Sequence, residues 1–149
     1  MKQSIFIYLK RNGLSTIQIV NKLFVSAFLR HYGIIPRNNI LLQEFYIKDN
    51  RQEEVILQDF IVQLNVNGCT YSLEELTQLF EFVISPSDRK VTGAIYTPYY
   101  IRKKIVDEVI EGLTIDVLRK KRFADISCGC GGFFLTIAQI SVSYTHLTL

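Results

Sequence analysis

Phe123-Ala124-Asp125-Ile126-Ser127-Cys128-Gly129-Cys130-Gly131-Gly132-Phe133-Phe134-Leu135 is the stretch on which the fold turns. From Arg122 to Ser127 it reads as a buried strand with an acid at its end. Glycines follow, and from Gly131 to Ile140 the residues suit an apolar helix. Strand, glycine turn and helix in that order form the cradle of a doubly wound sheet, where backbone N–H groups and a helix N-terminus converge on a ligand. Glycine lets a ligand approach the backbone closely and tolerates positive φ. The expected fold class is α/β, the start of a Rossmann-like domain.

The turn by itself does not choose its ligand. The dinucleotide fingerprint Gly-x-Gly-x-x-Gly lacks its third glycine, because position 134 is Phe. No Gly-Lys-Ser/Thr follows, so the phosphate loop of nucleotide hydrolases is excluded. A lone Gly-x-Gly is also the mark of a tight turn that binds nothing.

Around this turn the chain organises into three parts. Residues 1–90 are expected to be a mainly helical accessory region. Ser15 is a candidate cap for a helix with Ile17, Val20, Leu23, Phe24, Ala27 and Phe28 at spacings of three and four, ending near Gly33. A second amphipathic segment runs from about Glu53 to Leu64. Ser72-Leu73-Glu74-Glu75 has the form of a capping box before a third helix. Residues 37–50 fit helix or strand equally. Ser85-Pro86-Ser87-Asp88-Arg89-Lys90 reads as the boundary, and 91–141 as the start of the second domain. In it, Thr97 is placed as an N-cap with Pro98 at the first helical position. Ile101, Ile105, Val109 and Ile110 are the expected buried stripe, and Gly112 the helix end.

Composition narrows the function classes. Of the 149 residues 48% are hydrophobic and 21% charged, which suits a packed globular chain. No apolar run reaches the ~18 residues of a membrane span, and the start lacks a signal-peptide pattern, so a cytoplasmic location is expected. The net charge of +3 permits nucleic-acid contact without arguing for it. Arg119-Lys120-Lys121-Arg122 is a dense basic run, read as a solvated stretch before a strand. Cys69, Cys128 and Cys130 offer no four-ligand spacing, and no metal is expected. His31 reads as a helix C-terminal residue rather than a base.

Two segments together carry a resemblance. Asp125-Ile126-Ser127-Cys128-Gly129-Cys130-Gly131-Gly132-Phe133 resembles the Asp-Pro-x-Cys-Gly-Ser-Gly-x-Phe motif of the N6-adenine DNA methyltransferases of restriction–modification systems. Thr92-Gly93-Ala94-Ile95-Tyr96-Thr97-Pro98 resembles the Gly-x-Tyr-Thr-Pro segment that precedes it in that family. The match covers roughly residues 90–140, and Ile126 and Cys130 depart from the usual Pro and Ser.

The resemblance implies a methyltransferase domain using S-adenosyl-L-methionine, acting on double-stranded DNA with the target adenine flipped out. A specificity or restriction partner is implied as possible, and no membrane. It assigns cofactor binding to Tyr96, Thr97, Pro98, Asp125, Ser127, Gly129, Gly131 and Phe133. Gly129 and Gly131 would approach the methionine part, Asp125 would face its ammonium group, and Phe133 would line the pocket. Tyr96, Thr97 and Pro98 would close the other side. The family's Asn/Asp-Pro-Pro-aromatic loop, which holds the target amine, does not occur in these residues, so no catalytic residue is assigned and the chain is expected to be inactive alone. Rival readings are a methyltransferase of RNA or protein and a non-catalytic subunit that keeps the cofactor fold for assembly.

Val142-Ser143-Tyr144-Thr145-His146-Leu147-Thr148-Leu149 resembles the translation of a transposon-end adapter used in sequencing libraries, and native sequence is expected to stop near Ser141. His146 is therefore given no role. With further strands missing, Ile126, Phe134 and Ile137 are expected to lie uncovered and residues beyond 90 to be poorly folded.

Overall fold

The computed structural model describes residues 1–84, 97–126 and 131–146, with the backbone alone described at 119 and 141–146. Among these residues there are eight helices and no strand. The α/β expectation is corrected by this: what is described is all helical. A strand requires a neighbour ~4.8 Å away to satisfy its N–H and C=O groups, and no second strand among the described residues pairs with residues 122–126. That segment is extended and one-sided instead. Phe123 and Asp125 are half-buried while Ala124 and Ile126 are exposed. No helix of the described residues is long and apolar enough to cross a membrane.

The chain divides into two compact units, Met1–Gly93 and Ala94–Leu149. The expected boundary at Ser85–Lys90 lies outside the described residues.

The first unit holds α1 (Lys2–Arg11), α2 (Ile17–His31), α3 (Ile40–Phe45), α4 (Arg51–Val66) and α5 (Leu73–Ile84). Helix α2 buries Val20, Leu23, Phe24 and Ala27 at the spacing read from the sequence. Its N-cap is Thr16 rather than Ser15, and Thr16 makes no side-chain capping bond. The helix closes with Gly33 at φ +65°, which lets Ile34 N–H reach the Leu29 carbonyl at 2.8 Å. Asn50 caps α4 by accepting from Gln52 and Glu53 N–H at 3.1 and 3.2 Å.

Half of the expected capping box forms at α5. Ser72 Oγ accepts from Glu75 N–H at 3.2 Å. The Glu75 carboxylate turns to Thr70 N–H at 2.7 Å, and Ser72 N–H bonds Thr70 Oγ1 at 3.4 Å. Upstream, Ile40–Phe45 is the short helix α3, with no buried residue. The chain after it is pinned by buried Ser26, whose hydroxyl donates to the Phe45 carbonyl at 3.2 Å and accepts from Ile47 N–H at 2.8 Å. These bonds satisfy the local backbone without a strand.

Helix α2 packs on α3, α4 and α5, and α1 packs on α5. Aromatic rings meet at the centre. Phe60 lies 5.2 Å from Phe24 and 6.5 Å from Tyr8 between ring centroids, and Phe24 meets Phe80 edge-on at 5.8 Å. Tyr71 is buried at φ +57°, donates to Asn65 Oδ1 at 2.9 Å, and stacks on the His31 ring at 4.1 Å. Burial pushes its phenol up to about 12.

Arg30 ties α2 to α4. Its guanidinium donates to both carboxylate oxygens of Glu54, at 2.7 Å for Nη2–Oε2, and to the Ile47 carbonyl at 3.1 Å. The bond from Arg30 holds the Glu54 carboxyl below its ordinary value. A carboxyl with a depressed folded pKa stabilises the fold above its unfolded value, and that contribution is lost as pH falls through the folded value. The melting temperature of the first unit is therefore expected to drop as pH is lowered from about 6 to about 3. In Glu54→Gln part of this acid sensitivity disappears; Glu75, lowered by its bond to Thr70, supplies another part. Identical melting-versus-pH curves for Glu54→Gln and the native chain would remove the ion pair from the account.

The second unit holds α6 (Tyr99–Ile110), α7 (Ile115–Lys120) and α8 (Gly132–His146). Helices α6 and α7 both pack on α8. Pro98, not Thr97, is the N-cap of α6, one residue later than expected. The expected buried stripe is also turned. Arg102, Val106 and Ile110 are buried, whereas Ile101, Ile105 and Val109 are 37%, 42% and 62% exposed. One residue is about 100° around a helix, so a shift of one register position moves the stripe from core to surface. Gly112 does follow the helix end, at φ +74°. Helix α8 continues through His146, past the end of the apolar pattern.

Candidate functional site

The extended segment before the glycine turn and the helix after it converge on one groove of about 400 Å³ in the second unit. Its walls are Phe123, Ala124, Asp125 and Ile126 from the segment, Ile105, Val106, Val109 and Ile110 from α6, and Phe133, Phe134 and Ile137 from α8. Asp125 is the one charged residue in this lining. The volume lies within the range of small-molecule sites, and an apolar wall with few polar groups is their usual chemistry.

Two assigned residues, Asp125 and Phe133, thus line the same groove. Gly131, directly ahead of α8, has φ +75°. Among the described residues, nothing lies within 4 Å of a Cβ added there. Thr97 is half-buried and Pro98 exposed, and neither lines the groove. Tyr96, Ser127 and Gly129 lie outside the described residues.

The groove is walled partly by residues expected to be core. Ile105 and Val109 line it because α6 turns Arg102, Val106 and Ile110 inward. Sequence reading passes over Arg102, since a lone arginine inside an apolar helix reads as surface. It is 5% exposed, and its guanidinium carbon lies 5.9 Å from the Tyr99 ring centroid. At the start of α8, a Cβ on Gly132 would stand 3.0 Å from Arg102 Cζ and 3.2 Å from its Cδ, with Nη1 closer still. Thr136, also buried, donates back to the Gly132 carbonyl at 2.9 Å.

The cofactor suggested by the resemblance suits this chemistry. An adenine ring gains from apolar contact, and an ammonium needs a carboxylate; the groove has both kinds of wall. Other chemistries find less support. Among the described residues no group of three His, Cys, Asp or Glu side chains could hold a metal ion; Cys128 and Cys130 lie outside them. Burial pushes the half-buried Cys69 thiol up, opposite to the shift that activates a nucleophile. His31 sits at the end of α2, its ring stacked on Tyr71. Lys120, Lys121 and Arg122 are exposed, as a solvated basic run would be.

No protein-family model, no curated protein and no solved structure matches this chain.

Proposed function

We propose that the chain is part of an S-adenosyl-L-methionine-dependent DNA adenine-N6 methyltransferase of a restriction–modification system. The observation that carries this reading is the convergence of Asp125 and Phe133 on one groove beside a left-handed glycine. These residues belong to the motif that resembles the family's.

Asp125 would hold the ammonium group of the cofactor, and Phe133 would offer its ring to an apolar part. Among the described residues, nothing within 4 Å of a Cβ at Gly131 stands in the way of the methionine end. Tyr96, Thr97, Pro98, Ser127 and Gly129 are assigned by resemblance alone. When bound, the cofactor supplies an electrophilic methyl group. No Asn/Asp-Pro-Pro-aromatic loop occurs among the 149 residues to present an adenine amine. The chain therefore binds cofactor without transferring the methyl by itself. Double-stranded DNA, a specificity or restriction subunit and a cytoplasmic site of action all belong to the proposal.

Calorimetric titration with S-adenosylhomocysteine tests the reading directly. The native chain is expected to bind it, and Asp125→Ala to weaken binding by at least about tenfold, the scale of one lost charge-assisted hydrogen bond. A native chain that shows no heat of binding at millimolar ligand defeats the proposal.

A further inference from the structure

We infer that Arg102 is a positioning residue for Gly131 and Phe133 of the candidate cofactor site, an assignment that rests on the reading just proposed. It joins the two segments that carry the resemblance. Arg102 sits in the first turn of α6, its N–H bonded to the Pro98 carbonyl at 3.1 Å, and so follows closely on Thr97-Pro98. Its side chain reaches the other segment, where Cδ, Cζ and Nη1 fill the space beside Gly132 at the start of α8.

The helix dipole does not hold it there. A cation beside a helix N-terminus is unfavourable, because that end already carries partial positive charge. Yet the arginine is 5% exposed, and the space a Gly132 side chain would need is filled by its Cδ, Cζ and Nη1. Glycine at 132 and arginine at 102 are thus a matched pair. The planar guanidinium sets how near α8 approaches α6. It thereby sets where Gly131 and Phe133, immediately on either side of Gly132, stand at the groove. A lysine offers a point cation without the planar surface, and does not replace it.

Displacing Gly131 harms a ligand that uses it more than one that does not. Arg102→Met keeps most of the stem and removes the plane. It is expected to weaken S-adenosylhomocysteine at least about tenfold. Binding of 5′-methylthioadenosine, which lacks the amino-acid end, should change less than about twofold. Arg102→Lys should behave like Arg102→Met. General unfolding weakens both ligands alike, and that outcome overturns the positioning role.

A ligand-free readout separates this inference from the reading beneath it. Amide hydrogen exchange at Leu135, whose N–H is bonded to the Gly131 carbonyl at 3.0 Å, should quicken in Arg102→Met and in Gly132→Ala. In the Arg102→Ala background, adding Gly132→Ala should change exchange little further, because the group it displaces is gone; independent sites would add. Additive effects, or unchanged exchange in Arg102→Met, overturn the inference whether or not ligand binds. Non-additive exchange in a chain that binds neither ligand overturns the cofactor reading and leaves the pairing of Arg102 with Gly132 standing.

Discussion

Phe60→Ala is expected to destabilise the first unit by ~3–5 kcal/mol, the usual cost of deleting a fully buried aromatic ring. Phe60 has no exposed surface, and its ring is faced by Phe24 and Tyr8. Leu57 and Leu64 lie one turn away on either side on the same face of α4, and both are fully buried. They are held by their own contacts and cannot collapse into the space, so the loss combines transfer and cavity terms. Single domains have only ~5–15 kcal/mol of stability, so much of the total should go. Urea denaturation of the full chain followed by helical circular dichroism would measure it. The control is Val62→Ala on the same helix, where the side chain is 52% exposed and the expected cost is within about 0.5 kcal/mol. Equal midpoints for the two variants would mean that the centre of the unit lies elsewhere.

This core was legible in the sequence because helices with strong three-and-four spacing state which face goes inward. Of the six positions that the spacing puts on one face of α2, Val20, Leu23, Phe24 and Ala27 are buried, Phe28 is half-buried and Ile17 at the helix start is exposed. Leu76, Leu79 and Val83 of α5 likewise follow their pattern. Residues 37–50 were less legible for a physical reason. Their outcome depends on Ser26, far away in sequence, whose hydroxyl bonds both Phe45 and Ile47. No local pattern carries that information.

The second unit shows the opposite failure. Apolar residues at 101, 105 and 109 and at 106 and 110 describe two adjacent faces of one helix, and nothing local decides between them. Arg102 decides it, because its inward position brings Val106 and Ile110 with it. Around the groove, Asp125 and Phe133 lie in its lining, while Thr97 and Pro98 do not. The extended segment at 122–126 misled because apolar runs record a capacity to be covered. Whether a partner strand covers them is a tertiary fact, and Ile126 stands uncovered.

Hydrogen exchange on the full chain is expected to separate the two units by orders of magnitude. Slow exchange requires that opening an amide cost much of the free energy of unfolding, and that cost scales with the apolar surface opened. Fully burying a large aliphatic or aromatic side chain is worth ~1.5–3 kcal/mol. In α4 the amides near Leu57, Phe60 and Leu64 lie beneath the shared core of the first unit, built from α1, α2, α4 and α5. Protection there should be on the order of 10⁴ or more. In the second unit, Val106 and Ile110 are the buried hydrophobic residues among those described, while Val109, Ile126 and Phe134 are 62%, 103% and 40% exposed. Two such side chains offset little of the entropy of ordering three helices at ~1–2 kcal/mol per residue. Amides in the body of α6, and of α8 from Leu135 to Ile140, should therefore show protection on the order of 10² or less. S-adenosylhomocysteine, if it occupies the groove, stabilises only the form that binds it, and should raise protection in α6 and α8 while leaving α4 unchanged. Protection that is high and equal in both units without ligand would contradict the exposed groove. A ligand effect confined to α4 would move the site out of the second unit altogether.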